Sequence, residues 1–352
     1  MKKFYVLSGA KKNAGDYLIT NRCVELLKEV YPECEIKIKG RDGLLDNYID
    51  EMNTFDSIIF AGGPMYTEDM YPKGIPFVTD LNSIKTKISE IGLGWWGKTY
   101  DVSSLDDFEF QLQMKKLLLR IQSDERILSG RDFFSTYILQ NNGFNSVMTG
   151  CPAWYAPENK QKCVISQEIK KICISDSVWY KNHDQILEVV KYIKKKFKRA
   201  EIMFVFHRGI DRDVNTCEEV ALKNIELKNE LEKLDINIKN IAYGHKGFEL
   251  YDNCDLHIGY RVHAHIYNLS IHNPSILIQE DSRGAGVNQA LGLFGLNARI
   301  NGFYGEINKS IINELENVIN IYLSEEFYSY KSVFEKIRIT KESMIEHIKR
   351  IC

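Results

Sequence analysis

The densest run of chemically capable residues in this 352-residue chain is Asp255-Leu-His257-Ile-Gly259-Tyr-Arg261-Val-His263-Ala-His265. Histidines at 257, 263, 265 and 272 raise the idea of a metal centre. Their spacing argues against it, because 263 and 265 are two apart in a stretch of helical character, where i and i+2 do not face each other. An anion site is the sharper reading. An apolar strand over 256–258 ends at Gly259, and the helix that follows carries Arg261 and His263 in its first turn. Cations there oppose the helix dipole and cost stability unless an anion is bound, so phosphate or carboxylate is the expected ligand. No metal or cofactor is expected, and His257 and His265 read as packing residues.

Further charged loops follow other predicted strands. His207-Arg208-Gly209-Ile-Asp211 places two basic side chains where they can clamp an oxyanion. Ser129-Gly130-Arg131-Asp132 offers either a ligand-facing Arg131 or an ordinary salt bridge. Asn13-Ala-Gly15-Asp16 follows the first strand, and its amides with Lys11 and Lys12 can cradle an anion or sugar hydroxyls. Asp16 serves equally well as a helix N-cap. The segment lacks the G-K-[ST] of a nucleotide-hydrolysing loop. Glu280-Asp-Ser-Arg283-Gly284 adds charge after the strand at 275–279. Gly92-Leu-Gly94-Trp-Trp-Gly97 formally matches a dinucleotide fingerprint, but 99–105 reads as loop where a helix should begin. Trp95 and Trp96 then become packed or ligand-facing aromatics.

The elements that must position these groups alternate. Strands are expected at 4–8, 35–39, 57–61, 88–93, 126–130 and 146–149, the third stopped by Gly62-Gly63-Pro64. A second series starts at 171–175 and continues through 201–206, 237–241, 256–258 and 275–279, with helices between and two more after 307. Such alternation predicts parallel sheets with helices on both faces, hence an α/β chain of two doubly wound, Rossmann-like domains facing across a cleft. The expected boundaries are 1–160, 161–310 and a helical tail over 311–352, which either crosses back onto the first domain or mediates a homodimer. In such sheets ligands bind beyond the carboxyl ends of strands.

Composition sets the outer bounds. Hydrophobic residues make up 44% and charged residues 27%, as in a globular chain. A formal net charge of -2 provides no general attraction to nucleic acid. The basic run Lys194–Arg199 closes an amphipathic helix, where cations suit the dipole. None of the 8 cysteines forms C-x-x-C, so no disulfide is expected. The opening residues read as a strand, too short for a signal peptide or a transmembrane span. A cytoplasmic protein is expected, with peripheral contact at the inner membrane as an option.

Taken together, the segments at 13–16, 55–63, 91–94, 131–135, 149–153, 261–264 and 274–283 resemble the polysaccharide pyruvyl transferase family over roughly residues 5–300. The family's R-L-H stands here as Arg261-Val262-His263, its triple glycine as Ala61-Gly62-Gly63, and a late lysine as Arg283. The resemblance implies a two-domain, GT-B-like architecture. It also implies transfer of the pyruvyl group of phosphoenolpyruvate to a sugar of a cell-surface glycan precursor, free or lipid-linked, with release of phosphate. On that basis the first domain takes the acceptor through Asn13, Gly15, Asp16, Gly62, Gly63 and Trp95. The second takes the donor through Arg261, His263, His207, Arg208 and Arg283, joined by Arg131. His263, Arg261 and Asp16 are the implied catalytic residues. A nucleotide-sugar glycosyltransferase and a non-catalytic sugar- or anion-binding protein are the alternatives.

Overall fold

Runs of buried aliphatic and aromatic residues, separated by amphipathic segments, form two parallel six-stranded sheets with flanking helices. The computed structural model describes every residue except 99, 101–104, 124–126, 164, 166–167 and 352. The chain divides into two compact units. The first comprises Met1–Ala10, Ile19–Tyr155 and Ile337–Cys352; the second comprises Lys11–Leu18 and Ala156–Lys336.

In the first unit, β1 (Lys3–Ser8), β2 (Glu35–Gly40), β3 (Ser57–Tyr66), β4 (Lys87–Trp95), β5 (Leu128–Gly130) and β6 (Ser146–Met148) pair in the order β2-β1-β3-β4-β5-β6. The helices are α1 (Ala14–Val30, its first residues in the second unit), α2 (Ile49–Met52), α3 (Leu112–Gln122) and α4 (Phe133–Asn141). Phe4, Tyr5, Val6 and Leu7 are fully buried, as befits a central strand covered on both faces. Edge strand β2 instead exposes Glu35 and Lys37, charges that discourage pairing with another edge.

Two strands outrun their sequence-based ends. The sequence stops β3 before Gly62-Gly63-Pro64, yet pairing continues to Tyr66, and β4 runs through Gly92 and Gly94. Gly62 and Gly63 adopt φ of 51° and 81°, which glycine tolerates without a Cβ clash. The strand therefore bends inside the ladder, with a register shift between Pro64 and Tyr66, and does not leave the sheet. The loop read over 99–105 lies largely outside the described residues.

In the second unit, β7 (Lys171–Ser175), β8 (Glu201–Phe206), β9 (Asn237–Asn240), β10 (Leu256–Gly259), β11 (Ser275–Gln279) and β12 (Leu296–Asn297) pair in the order β12-β11-β10-β7-β8-β9. Its helices are α5 (His183–Lys196), α6 (Glu218–Lys233), α7 (Val262–Ser270), α8 (Ser282–Leu291) and α9 (Ile311–Ser324), followed by the start of α10 (Tyr330–Arg350). The sequence reading has no β12, since two residues carry no periodicity. The chain lays β8 and β9 outward from β7, then returns to place β10 on the opposite side of β7. Strand order reverses there, so the loops after β7 and β10 diverge and leave a crevice beyond their carboxyl ends.

One buried acid makes the first unit sensitive to pH. Glu90 on β4 is 1% exposed and accepts hydrogen bonds from the Tyr66 hydroxyl at 2.7 Å and the Ser129 N–H at 2.6 Å. Burial pushes its carboxyl up to about 7, only partly offset by those two donors. The folded state thus holds a proton that the unfolded state has released, and stability is lost as pH rises from about 4.5 through 7. Glu90→Gln removes that loss. Relative to the wild type, the variant should gain roughly 2–4 kcal/mol between pH 4.5 and 8 in urea unfolding. A constant difference across that range would refute the assignment.

Candidate functional site

The crevice beyond β7 and β10 is assembled from residues that force the two strand ends together. Gly259 closes β10 opposite Ser175, and a Cβ added there would lie 2.4 Å from the Ser175 hydroxyl and 2.6 Å from its backbone nitrogen. Only glycine fits that approach. The same hydroxyl bonds His257 Nε2 at 3.0 Å and accepts from the Arg261 N–H at 3.1 Å. His257 Nδ1 and His265 Nδ1 each lie 2.7 Å from the Ser275 hydroxyl. His272 stacks on Phe334 at 4.6 Å. These three histidines therefore fix strands and helices in place. Burial holds His257 well below the ordinary histidine range and His265 at about 3, so both are neutral imidazoles.

Arg261 is the N-cap of α7, with φ -80° and ψ 113°, and no side chain caps this helix. The sequence argument has this cation waiting for an external anion. The protein supplies one: Asp176, just past β7, takes Arg261 Nε at 2.6 Å and Nη2 at 2.7 Å. Nη2 also donates to the Ser177 carbonyl at 3.0 Å. Arg261 is 6% exposed and Asp176 4%, so both charges are withdrawn from water and depend on each other. Sequence reading missed Asp176, whose only local signal is an acid immediately after a strand. The partner lies 85 residues away.

The other predicted residues of this unit converge on the same place. Arg261, His263, His207, Arg283, Glu280, Asp281 and Asn13 line a small pocket of about 30 Å³. The first turn of α1 reaches it because the Ala14 N–H donates to the His207 carbonyl at 3.0 Å, and the Tyr243 N–H to the Lys12 carbonyl at 2.8 Å. Gly15 lies against His263: a Cβ there would be 2.6 Å from His263 Nδ1. Asn13 Nδ2 donates to Asp16 at 3.1 Å, and Asp16 contributes its charge at Arg208 and Arg283. Arg283 pairs with Asp281 at 2.6 Å, and Asp281 also caps α8. Glu280 accepts from the Ser177 hydroxyl, the Val178 N–H and Asn182, and burial raises its carboxyl. Arg208 is exposed and makes no hydrogen bond or ion pair among the described residues.

The first-unit residues are placed separately. Arg131 is fully buried, with Nε 3.1 Å from Asp132 and Nη2 donating to the Trp95 carbonyl at 3.2 Å. Paired with its neighbour, the guanidinium supports its own sheet, and its Nη1 is buried with no hydrogen-bond partner among the described residues. Asp132 caps α4 through Ser135. Trp95 is 5% exposed, edge-on to Phe108 and Phe134, and borders a cavity of about 560 Å³ with Trp96 and Glu68. Gly62 and Gly63 act through backbone geometry in β3. A larger cavity of the second unit, about 910 Å³ and bordered by Tyr17, Met203 and Tyr243, has no arginine in its lining. Size and chemistry do not coincide here, and the convergence of polar groups makes the smaller pocket the candidate site.

The Asp176–Arg261 pair predicts a large single-residue effect. Asp176→Ala leaves a buried guanidinium without its carboxylate and should cost about 3–5 kcal/mol. Urea unfolding of both proteins measures it, and a loss under 1 kcal/mol would show the pair to be dispensable.

Comparison with known proteins agrees with this architecture. Among solved structures, the chain is similar to the UDP-GlcNAc 2-epimerase from Neisseria meningitidis bound to UDP-GlcNAc, with 11% identity and a TM-score of 0.57 over 98% of this chain and 100% of that one. It is also similar to S. aureus MnaA solved with UDP, with 11% identity and a TM-score of 0.55 over 95% and 91%. At such identity the likeness is one of fold, the GT-B-like pairing of two parallel sheets. No curated protein compared with the chain matches it. The family model for polysaccharide pyruvyl transferase matches residues 13–282, from the first turn of α1 through the Glu280-Asp281 rim. That match spans well over half of the sequence and all of the second-unit pocket's lining except Arg283, and by it this chain belongs to the polysaccharide pyruvyl transferase family, a family of transferases.

Proposed function

We propose that the chain transfers the pyruvyl group of phosphoenolpyruvate to a sugar of a glycan precursor, forming a ketal and releasing phosphate. The observation that carries this reading is the pocket at the β7/β10 switch point. There Arg261, Arg283, His207 and His263 converge beside the uncapped start of α7. A small molecule bearing both a carboxylate and a phosphate needs several donors at one point, and helix amides with arginines supply them. Because Arg261 and Arg283 already carry protein carboxylates, recognition here depends on directed donors more than on net charge. Arg208, exposed at the end of β8 within the field of Asp16 and Asp176, is the cation that makes no ion pair among the described residues.

In the reaction a proton is added to the methylene carbon of phosphoenolpyruvate, making a methyl group and an oxocarbenium-like carbon. One sugar hydroxyl attacks that carbon, the bond to the phosphate oxygen breaks, and a second hydroxyl closes the ketal. The two hydroxyl protons balance the one gained by carbon and the one carried off by phosphate. His263 is assigned to protonate the methylene carbon or the departing phosphate, since histidine exchanges protons near neutral pH. Asp16, held by Asn13, is assigned to take the acceptor's proton. Asn13 and Gly15 are its neighbours on the acceptor side within the second unit. Among the described residues no helix is long and apolar enough to cross a membrane. A lipid-linked acceptor would accordingly be met by peripheral contact.

A nucleotide-sugar donor is the second reading, favoured by fold relatives solved with UDP and UDP-GlcNAc. Ligands raise the melting temperature of the state they bind, so phosphoenolpyruvate and a panel of nucleotide sugars separate the two readings. The expected outcome is a shift with phosphoenolpyruvate that Arg208→Ala reduces. A shift with nucleotide sugars alone would move the assignment to glycosyl transfer. His263→Ala should lower turnover by roughly two to four powers of ten while the unfolding midpoint stays near that of the wild type. Near-normal phosphate release by that variant would remove His263 from catalysis.

A further inference from the structure

His207 is fully buried at the end of β8 and lines the anion pocket, yet only one of its ring nitrogens is engaged by the protein. Nε2 lies 2.8 Å from the Tyr251 hydroxyl, while Nδ1 has no partner among the described residues. Tyr251 is also fully buried, wedged against Phe248, His257 and Tyr267, and its hydroxyl has no second partner among the described residues. Two proton arrangements are open to this pair. If Nε2 carried the proton and donated to Tyr251, the phenol proton would be stranded and Nδ1 would be a bare lone pair. If Tyr251 donates to Nε2, every polar atom of the pair is satisfied except one N–H, at Nδ1. Each unpaired buried polar group is costly; the first arrangement leaves a donor and a ring acceptor unpaired and the second leaves one donor, so the second wins.

We infer that Tyr251 is a positioning residue that locks His207 as its Nδ1–H tautomer, so that the pocket presents a neutral, fixed hydrogen-bond donor to an oxygen of the bound anion. The groups around the ring agree. Arg261, His263 and His257 face it, and burial together with those neighbours keeps the imidazole well below the ordinary histidine range. Asp176 meets the His207 backbone N–H at 3.2 Å and leaves the ring alone. His207 thus differs in kind from His263: it orients the ligand and does not shuttle a proton. A neutral donor also adds no charge to a pocket already crowded with guanidinium groups.

This inference rests on the anion-site reading and is tested so that the two can fail separately. In the full chain labelled with ¹⁵N-histidine, long-range proton–nitrogen NMR distinguishes the two tautomers, with His207→Gln identifying the signals. The wild type should show a protonated Nδ1 and an unprotonated Nε2, unchanged from pH 6 to 8, and inorganic phosphate should shift the Nδ1–H signal. Tyr251→Phe should populate the other tautomer and weaken phosphate binding roughly 3- to 10-fold, the equivalent of one ordinary hydrogen bond. An Nε2-protonated ring or an imidazolium in the wild type overturns the inference, whether or not phosphate binds. A protonated Nδ1 that ignores phosphate overturns the anion reading and with it the ligand assigned to this donor. The wild-type spectrum decides the tautomer even if Tyr251→Phe does not fold.

Discussion

The bidentate pair between Arg261 and Asp176 is the interaction on which the second unit's site depends. An arginine keeps its charge under all ordinary conditions, and a charge taken out of water must meet its opposite or destabilise the fold. Here the two partners follow adjacent parallel strands, β10 and β7, at the point where the strand order reverses. The pair therefore joins two loops that the topology would otherwise send apart. The same contact orders the surroundings: Nη2 also holds the Ser177 carbonyl, and Asp176 also accepts from the backbone of His207 at the end of β8. Loops after three strands are tied to one ion pair.

That arrangement limits what the proposed anion site can offer. Arg261 and Arg283 each carry a protein carboxylate, so the pocket is not a reservoir of free positive charge. What it offers is direction: a helix start with no side-chain cap, a buried imidazole with one ring nitrogen unpartnered among the described residues, and an exposed arginine that makes no ion pair among them. Preorganised donors of this sort favour a particular geometry of charge over net charge alone. The buried serines support it from below. Ser175 and Ser275 bridge His257, His265 and the Arg261 amide, which keeps the α7 start in register with β7 and β11.

Much of the fold and part of the site were legible in the chain itself. The alternation of apolar strands with amphipathic helices is a local property, so eleven of the strands and most helices could be read from periodicity; β12, two residues long, could not. Arg261, His263, His207 and Arg283 could be singled out because charged residues directly after apolar strands are visible in one dimension. Glycine proved ambiguous. At Gly259 it marks a true strand end pressed against Ser175, whereas at Gly62 and Gly92 it lets a strand bend and continue.

The sequence by itself determined the two α/β series, the loops that carry charge and the family to which the chain belongs, since each is written in short contiguous patterns. Tertiary structure decided which charges answer one another. Arg131 and Arg261 look alike in sequence, each a cation between strand and helix. Arg131 is sealed against Asp132, its neighbour in the chain, whereas Arg261 meets Asp176 at 85 residues' distance on the rim of a pocket. The start of α1 looks like part of the first unit, yet its first turn bonds to the end of β8 in the second. Ion pairing and burial depend on distances in space, and only the folded order of the strands sets those distances.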